Sequence, residues 1–295
     1  MPLEPISELM SHAQRHDYAV GYFESWDITS LQGVIDAAEA NRSPVIIGFS
    51  GEFLSRPERQ AAEDLSWYGA LGKAAAESAG VPCGFIFNEC PIDDWVRRAV
   101  TAGFNLVMPA DPVASHEDYL RRVADITEYA HQHNVAVEAE VGVLPMGTTR
   151  KVESGGSTTD ATAATNFVAA TGIDLLAVSV GNVHILVRGQ QALDLDNLSA
   201  IHKQVSIPLV LHGGTGIDEI SLRNAVSMGV AKINYGTILK QRYLAAVRLA
   251  LENPDQNPHH LLGYGESDDV MVAGRGAVTV AVAEKIDIIG SKNRA

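Results

Sequence analysis

Cysteine is nearly missing from this chain: 295 residues carry only Cys83 and Cys90, with six residues between them. Two such residues make no disulfide framework, which points to a reducing, cytoplasmic setting. Basic charge is also scarce, with 22 Lys and Arg against 36 Asp and Glu and a net charge of −14. That balance argues against a nucleic-acid partner and for small ligands held at local sites. No apolar run approaches the ~20 residues needed to cross a bilayer. The opening "MPLEPISELM" lacks the basic stretch and apolar core of a signal peptide. No G-x-G-x-x-G follows the first apolar run, which counts against a doubly wound dinucleotide-binding sheet. These absences leave a soluble chain with no membrane partner. Its 46% hydrophobic content is enough for one barrel-sized domain spanning residues 1–295.

What is present is an alternation of short apolar runs with longer amphipathic ones. The strand candidates are "YAVGYF" (18–23), "PVIIGF" (44–49), "PCGFIF" (82–87), "NLVMP" (105–109), "VAVEAEV" (135–141), "DLLAVSV" (174–180), "PLVLH" (208–212) and "AKINY" (231–235). Helical patterns lie between them, as at 30–41, 118–133 and 220–229. Eight strand-then-helix units predict an α/β fold, a (β/α)8 TIM barrel, with an extra C-terminal helix near 271–289. The Gly/Ser/Thr-rich segment 143–160 after the fifth strand reads as a long loop on the C-terminal face, a lid or a disordered stretch. A helix starts at its end, in "STTDATAATNF", with Ser or Thr as the expected N-cap.

Barrel chemistry sits at strand C-termini. Those positions hold Glu24, Ser50, Asn88, Glu89, Ala110, Asp111, Glu138, Glu140, His184, His212 and the turns Gly213–Gly216 and Asn234–Thr237. A lone histidine at such a place is more often a hydrogen-bonded structural residue. Two of them, on adjacent strand ends beside small turns and with carboxylates on the same rim, point instead to a divalent-metal site. Zn2+, Mn2+ and Co2+ all suit such ligands. The other histidines, among them His131, His133, His259 and His260, fall on helix or tail positions and read as solvated. "GGTG" after the seventh strand and "NYGT" after the eighth each offer bare backbone N–H groups ahead of a helix. Either alone could be a tight turn. Together, at strands seven and eight, they predict an anion site for a phosphate.

Those motifs carry a resemblance. "VEAEVG" (137–142), "VSVGNVH" (178–184), "PLVLHGGTGI" (208–217), "KINYGT" (232–237) and "IIGS" (288–291) resemble the signature segments of the class II, metal-dependent fructose-bisphosphate aldolases, over almost the whole chain. The resemblance implies that His184 and His212 are metal ligands. It also implies that Ser50, Gly213, Gly214, Thr215, Asn234, Gly236 and Thr237 hold a substrate phosphate and its neighbouring hydroxyls, with Glu140 beside the metal. Relatives being dimers or tetramers, it implies a homodimer or homotetramer. The departures cluster at the chemistry. Where the family has H-L-D-H this chain has "IFNE", so Asn88 replaces the catalytic aspartate and Glu89 a metal-binding histidine. Asn88 cannot deliver a proton as a carboxylic acid does. Glu89 can still coordinate, giving His184, His212 and Glu89 as the ligand set. Glu24 stands where the family has Asn, and Ile185 where it has a glycine that lets backbone approach the phosphate.

The expected activity is therefore a carbon–carbon lyase working through a metal-stabilised enediolate on a ketose phosphate or related sugar derivative, but not on fructose 1,6-bisphosphate itself. The catalytic candidates are Asn88, Glu24 and Glu140, with Glu140 favoured as the acid/base group and Asp111 as a further possibility. The alternative is a sugar isomerase or epimerase that reprotonates the same enediolate. Imine chemistry through Lys232 and a silent ligand-binding protein are lesser rivals.

Overall fold

The computed structural model describes residues 3–111, 113–147, 156–255 and 257–295. Each expected apolar run becomes a strand: β1 Val20–Ser25, β2 Val45–Ser50, β3 Cys83–Cys90, β4 Leu106–Pro109, β5 Ala136–Val141, β6 Leu175–Val178, β7 Leu209–Leu211 and β8 Val230–Tyr235. All are parallel and close into a barrel in chain order, with β8 paired back to β1. This is the (β/α)8 TIM barrel. Helices Ile28–Ala40, Leu65–Ser78, Asp93–Thr101, His116–Gln132, Ala161–Thr171, Leu195–Gln204, Glu219–Val226 and Thr237–Ala250 cover its outside. The additional C-terminal helix runs over Val270–Ile288. It lies against helix Ile28–Ala40, where Thr279 Oγ1 donates to Gly33 O at 3.1 Å and Arg275 pairs with Asp36.

The period-two alternation of each strand sorts its side chains between two cores. On β3, Phe85 and Phe87 face the helices while Ile86 faces the barrel axis. The inner core holds Val20, Ile46, Ile86, Leu106, Leu175 and Val210. Its N-terminal mouth is shut by a helix the sequence reading did not single out, Ile6–Arg15, which buries Ile6, Leu9, Met10 and Ala13. That spacing is one apolar helical stripe.

Two local expectations change. The N-cap of helix Ala161–Thr171 is Asp160, whose side chain accepts from Ala163 N, and not a Ser or Thr. Thr159 is occupied elsewhere: its hydroxyl donates to Val141 O and accepts from Ser179 N, tying the chain across β5 and β6. Of the long segment 143–160, residues 148–155 lie outside the described residues. Its near end pairs with the loop after β6, where Gly147 N donates to His184 O at 2.7 Å and His184 N to Pro145 O at 2.9 Å. Among the described residues no helix is long and apolar enough to cross a membrane.

Candidate active site

Above the apolar layer the inward positions turn polar. Glu138 on β5 and Lys232 on β8 are fully buried, and their Oε2 and Nζ atoms lie 2.8 Å apart across the barrel. Lys232 Nζ also donates to Asn234 Oδ1 at 2.6 Å. The other oxygen of Glu138 faces His212 Nε2 at 2.8 Å, and His212 Nδ1 meets Glu89 Oε1 at 2.9 Å. Asn88 Nδ2 donates to Glu89 Oε2 at 2.9 Å, and His184 Nε2 stands 3.5 Å from Glu89 Oε1. One continuous chain therefore runs Lys232–Glu138–His212–Glu89, with Asn88 and His184 both turned to Glu89.

Local backbone explains why Asn88 and Glu89, neighbours on a strand, serve the same site. Glu89 has φ +54, and the pairing of β3 with β4 slips between Phe87 and Cys90. A bulge of this kind re-aims a side chain, and it brings Glu89 to the cavity beside Asn88. His212 is aimed by the end of β7, where Asn182 Nδ2 donates to the His212 carbonyl at 3.1 Å. The loop after β6 is thereby tied to the end of β7, with both histidines on one wall.

Charge follows from this packing. Burial opposes the ionisation of Glu89, but His184, His212 and Lys232 outweigh it and hold its pKa down at about 2. Burial also opposes a charged His212. The hydrogen bonds to Glu138 and Glu89 prevail and raise its pKa to about 10. Glu138 is lowered against its burial by Lys232 and His212, whereas Lys232 itself is lowered by burial.

A cavity of about 260 Å³ opens over this chain. Its walls include the expected Glu24, Ser50, Asn88, Glu89, His184 and His212, and also Gly213, Thr215, Asn234, Gly236 and Thr237. Gly214 is off the cavity, and a side chain there would meet Ile233 and Tyr235. Glu140 is set behind the lining; its Oε1 is enclosed without a hydrogen-bond partner among the described residues, and burial raises its pKa. Asp111 is remote: it accepts from Val113 N and Ala114 N and lies 3.6 Å from Arg122. Lys232 is beneath the floor, with no place in the lining. Sequence reading missed Lys240, Phe53 and Tyr22, which all line the cavity. The signal for Lys240 was its place in the first turn of the helix after β8.

Among the described residues no group of three or more His, Cys, Asp or Glu side chains is arranged as a metal site. The donor chemistry nevertheless fits a divalent cation. Two imidazole nitrogens face one carboxylate oxygen at 2.9 and 3.5 Å. Donors around one tetrahedral zinc, at about 2.0–2.2 Å from it, stand roughly 3.3 Å from each other. The far nitrogen of His212 is held by Glu138, the carboxylate–histidine arrangement that orients metal ligands. Among the described residues Glu140 Oε1 has no hydrogen-bond partner, and His212, Glu89 and His184 lie close enough to act on its carboxyl electrostatically.

The barrel and its two-histidine polar floor define a TIM-barrel protein of the aldolase type. The family model described as fructose-bisphosphate aldolase class-II matches residues 4–294, so this chain belongs to that family and is a class II aldolase-like lyase. It is 34% identical to the uncharacterized protein YdjI of Escherichia coli (strain K12) over 284 residues, 96% of each chain. It is 31% identical to the probable fructose-bisphosphate aldolase of Bacillus subtilis (strain 168), with 100% of both chains covered. The crystal structure of the E. coli YdjI aldolase superposes with a TM-score of 0.79 at 30% identity, covering 98% of each chain. The crystal structure of a protein from Coccidioides immitis described as a putative fructose-1,6-bisphosphate aldolase, at 23% identity and a TM-score of 0.81, shares the fold.

Proposed function

We propose that this protein is a metal-dependent carbon–carbon lyase that cleaves or forms an aldol bond in a ketose-type sugar derivative, with fructose 1,6-bisphosphate not its substrate. The observation that carries the reading is the meeting of His184 Nε2 and His212 Nδ1 on Glu89 Oε1 beneath the cavity. Glu89, His184 and His212 would hold the cation, zinc best matching the donor set and Mn2+ or Co2+ also compatible. Such an ion supplies electrophilic polarisation of a ketose carbonyl and charge stabilisation for the enediolate left when the C–C bond breaks.

The chain's own residues do the rest. Glu138 fixes the ring of His212, and Lys232 neutralises Glu138 from below. Asn88 orients Glu89 and presents its Oδ1, which has no hydrogen-bond partner among the described residues, towards a substrate hydroxyl. An amide orients such a hydroxyl but does not exchange its proton. Glu140, whose raised pKa follows first from burial, is the group suited to carry that proton. The buried Lys232, engaged by both Glu138 and Asn234, argues against imine chemistry. Were Glu140 to reprotonate the enediolate at another carbon, the same site would isomerise or epimerise.

Metal analysis tests the reading. We expect about one divalent ion per chain, the stoichiometry of a single three-ligand site, absent from His184→Ala and His212→Ala. Retro-aldol cleavage should vanish with chelation and return with Zn2+, Mn2+ or Co2+. Full activity in a protein verified to be free of metal would overturn it.

A further inference from the structure

Four residues that line the cavity carry a buried polar atom with no hydrogen-bond partner among the described residues: Tyr22, Asn88, Asn234 and Tyr235. Each asparagine has its other amide atom engaged, Asn88 with Glu89 and Asn234 with Lys232. Tyr235 stacks on Phe23 in the layer between barrel and helices, so its ring turns away from the axis. Tyr22 is different. It points into the barrel from β1, among the inner core residues, in register with Ile46 on β2 and Asn234 on β8. Its residue is only 2% exposed, and its one polar atom, Oη, is unpaired among the described residues. The ammonium of Lys232 stands 5.1 Å from the centroid of its ring, a cation–π contact that holds the ring from beneath.

Packing does not account for the hydroxyl. A phenylalanine would fill the same space without burying an unpaired polar group, which lowers stability. An acceptor that arrives with the substrate does account for it. Burial first, then the carboxylates of Glu24, Glu89 and Glu138, push the phenol pKa well above its ordinary value, so at neutral pH the group offers an O–H. Glu89, on which both histidines meet, is thus close enough to act on the same phenol.

We infer that Tyr22 is a catalytic residue whose phenol donates a hydrogen bond to the substrate oxygen that becomes negative when the carbon–carbon bond breaks. The inference rests on the lyase reading above and adds to it a donor from β1. The proton stays on Tyr22, and no bond of the phenol is made or broken. A hydrogen bond to a charged oxygen is roughly twice as strong as one to a neutral oxygen, so the contact tightens as the enediolate forms. A ring already held by Lys232 needs no rearrangement at that moment.

The test compares the wild type with Tyr22→Phe, both loaded with zinc, by three measurements. The first is thermal unfolding. The second is uptake of solvent deuterium next to the carbonyl of dihydroxyacetone or its phosphate, whichever the wild type exchanges faster, which reports enediolate formation without an aldehyde partner. The third is binding of phosphoglycolohydroxamate, a planar anionic mimic of an enediolate. We expect the variant to hold the same metal and to unfold at the wild-type temperature or above it. Its kcat for exchange should fall about 100-fold, with KM within about threefold. The mimic should bind about tenfold more weakly. A variant that unfolds at a lower temperature, that exchanges as fast as the wild type, or whose loss lies wholly in KM overturns the inference and leaves the lyase reading standing. Should the wild type exchange neither triose, the lyase reading fails. The mimic then decides the inference alone: weaker binding to Tyr22→Phe supports it, and equal binding or none overturns it.

Discussion

The two halves of the barrel interior are built by the same strands with the same alternation, yet they are chemically opposite. The N-terminal half is apolar, filled by Val20, Ile46, Ile86, Leu106, Leu175 and Val210 and sealed by Ile6, Leu9, Met10 and Ala13 of the first helix. The C-terminal half is a chain of charges, Lys232–Glu138–His212–Glu89, equally hidden from water at its base. Burying charge is unfavourable unless each group is paired and hydrogen-bonded. The first half needs no polar partners, and a loss of volume there costs only packing. The second holds only while every link is present. What the contrast teaches is that stability and chemistry divide along the barrel axis, the one carried by packing and the other by a connected set of ions.

The strongest way to break that contrast is to remove one link. Lys232→Met leaves Glu138 Oε2 buried without its ammonium partner, and we expect a loss of about 3–5 kcal/mol in denaturant unfolding. The double variant Lys232→Met/Glu138→Leu should regain most of that stability, because no uncompensated charge remains. It should still bind the cation roughly 10–100-fold more weakly, because the far nitrogen of His212 loses its carboxylate. A double variant as unstable as the single would show that the chain is not the cooperative unit described. The matching change in the apolar half is Leu9→Ala. We expect about 2–5 kcal/mol of lost stability, towards the lower end because the sealing helix can settle inward. Cation affinity of the folded protein should not change. Weaker metal binding in that variant would mean that the halves are coupled.

The same division governs how much could be read from sequence. All eight strands were legible, because buried parallel strands are short continuous apolar runs between turn residues. The polar end of β3 was not: Asn88, Glu89 and Cys90 extend a strand whose apolar run stops at Phe87. The sealing helix carries a readable Ile6–Leu9–Met10–Ala13 stripe, overlooked because it precedes the first strand. Rim positions could be named from strand ends, and most of those named meet at one cavity. Which of them touch was out of reach. Glu138 and His212 are 74 residues apart and meet across the barrel axis, a relation that spacing does not encode. The glycines alone do not single out an anion site, for a physical reason: close approach of Val183 O, of the Glu24 carboxylate and of a ligand all demand a missing Cβ alike.

Ile185 sharpens the comparison at its smallest scale, since at the rim a single residue is both strained and functional in position. It holds φ +55, a region that β-branched side chains strongly avoid, at a cost of roughly 1–2 kcal/mol. Its side chain is half-buried against the cavity, which returns about 1 kcal/mol of apolar burial. Ile185→Gly removes both contributions, so we expect thermal unfolding to shift by less than the equivalent of about 1 kcal/mol. The cavity should widen beside His184, with bulkier ketoses accepted more readily. If instead the glycine variant loses stability on the scale of Leu9→Ala, the side chain of Ile185 is a packing element like those of the sealed half. The rim would then owe its shape to the core and not to the substrate.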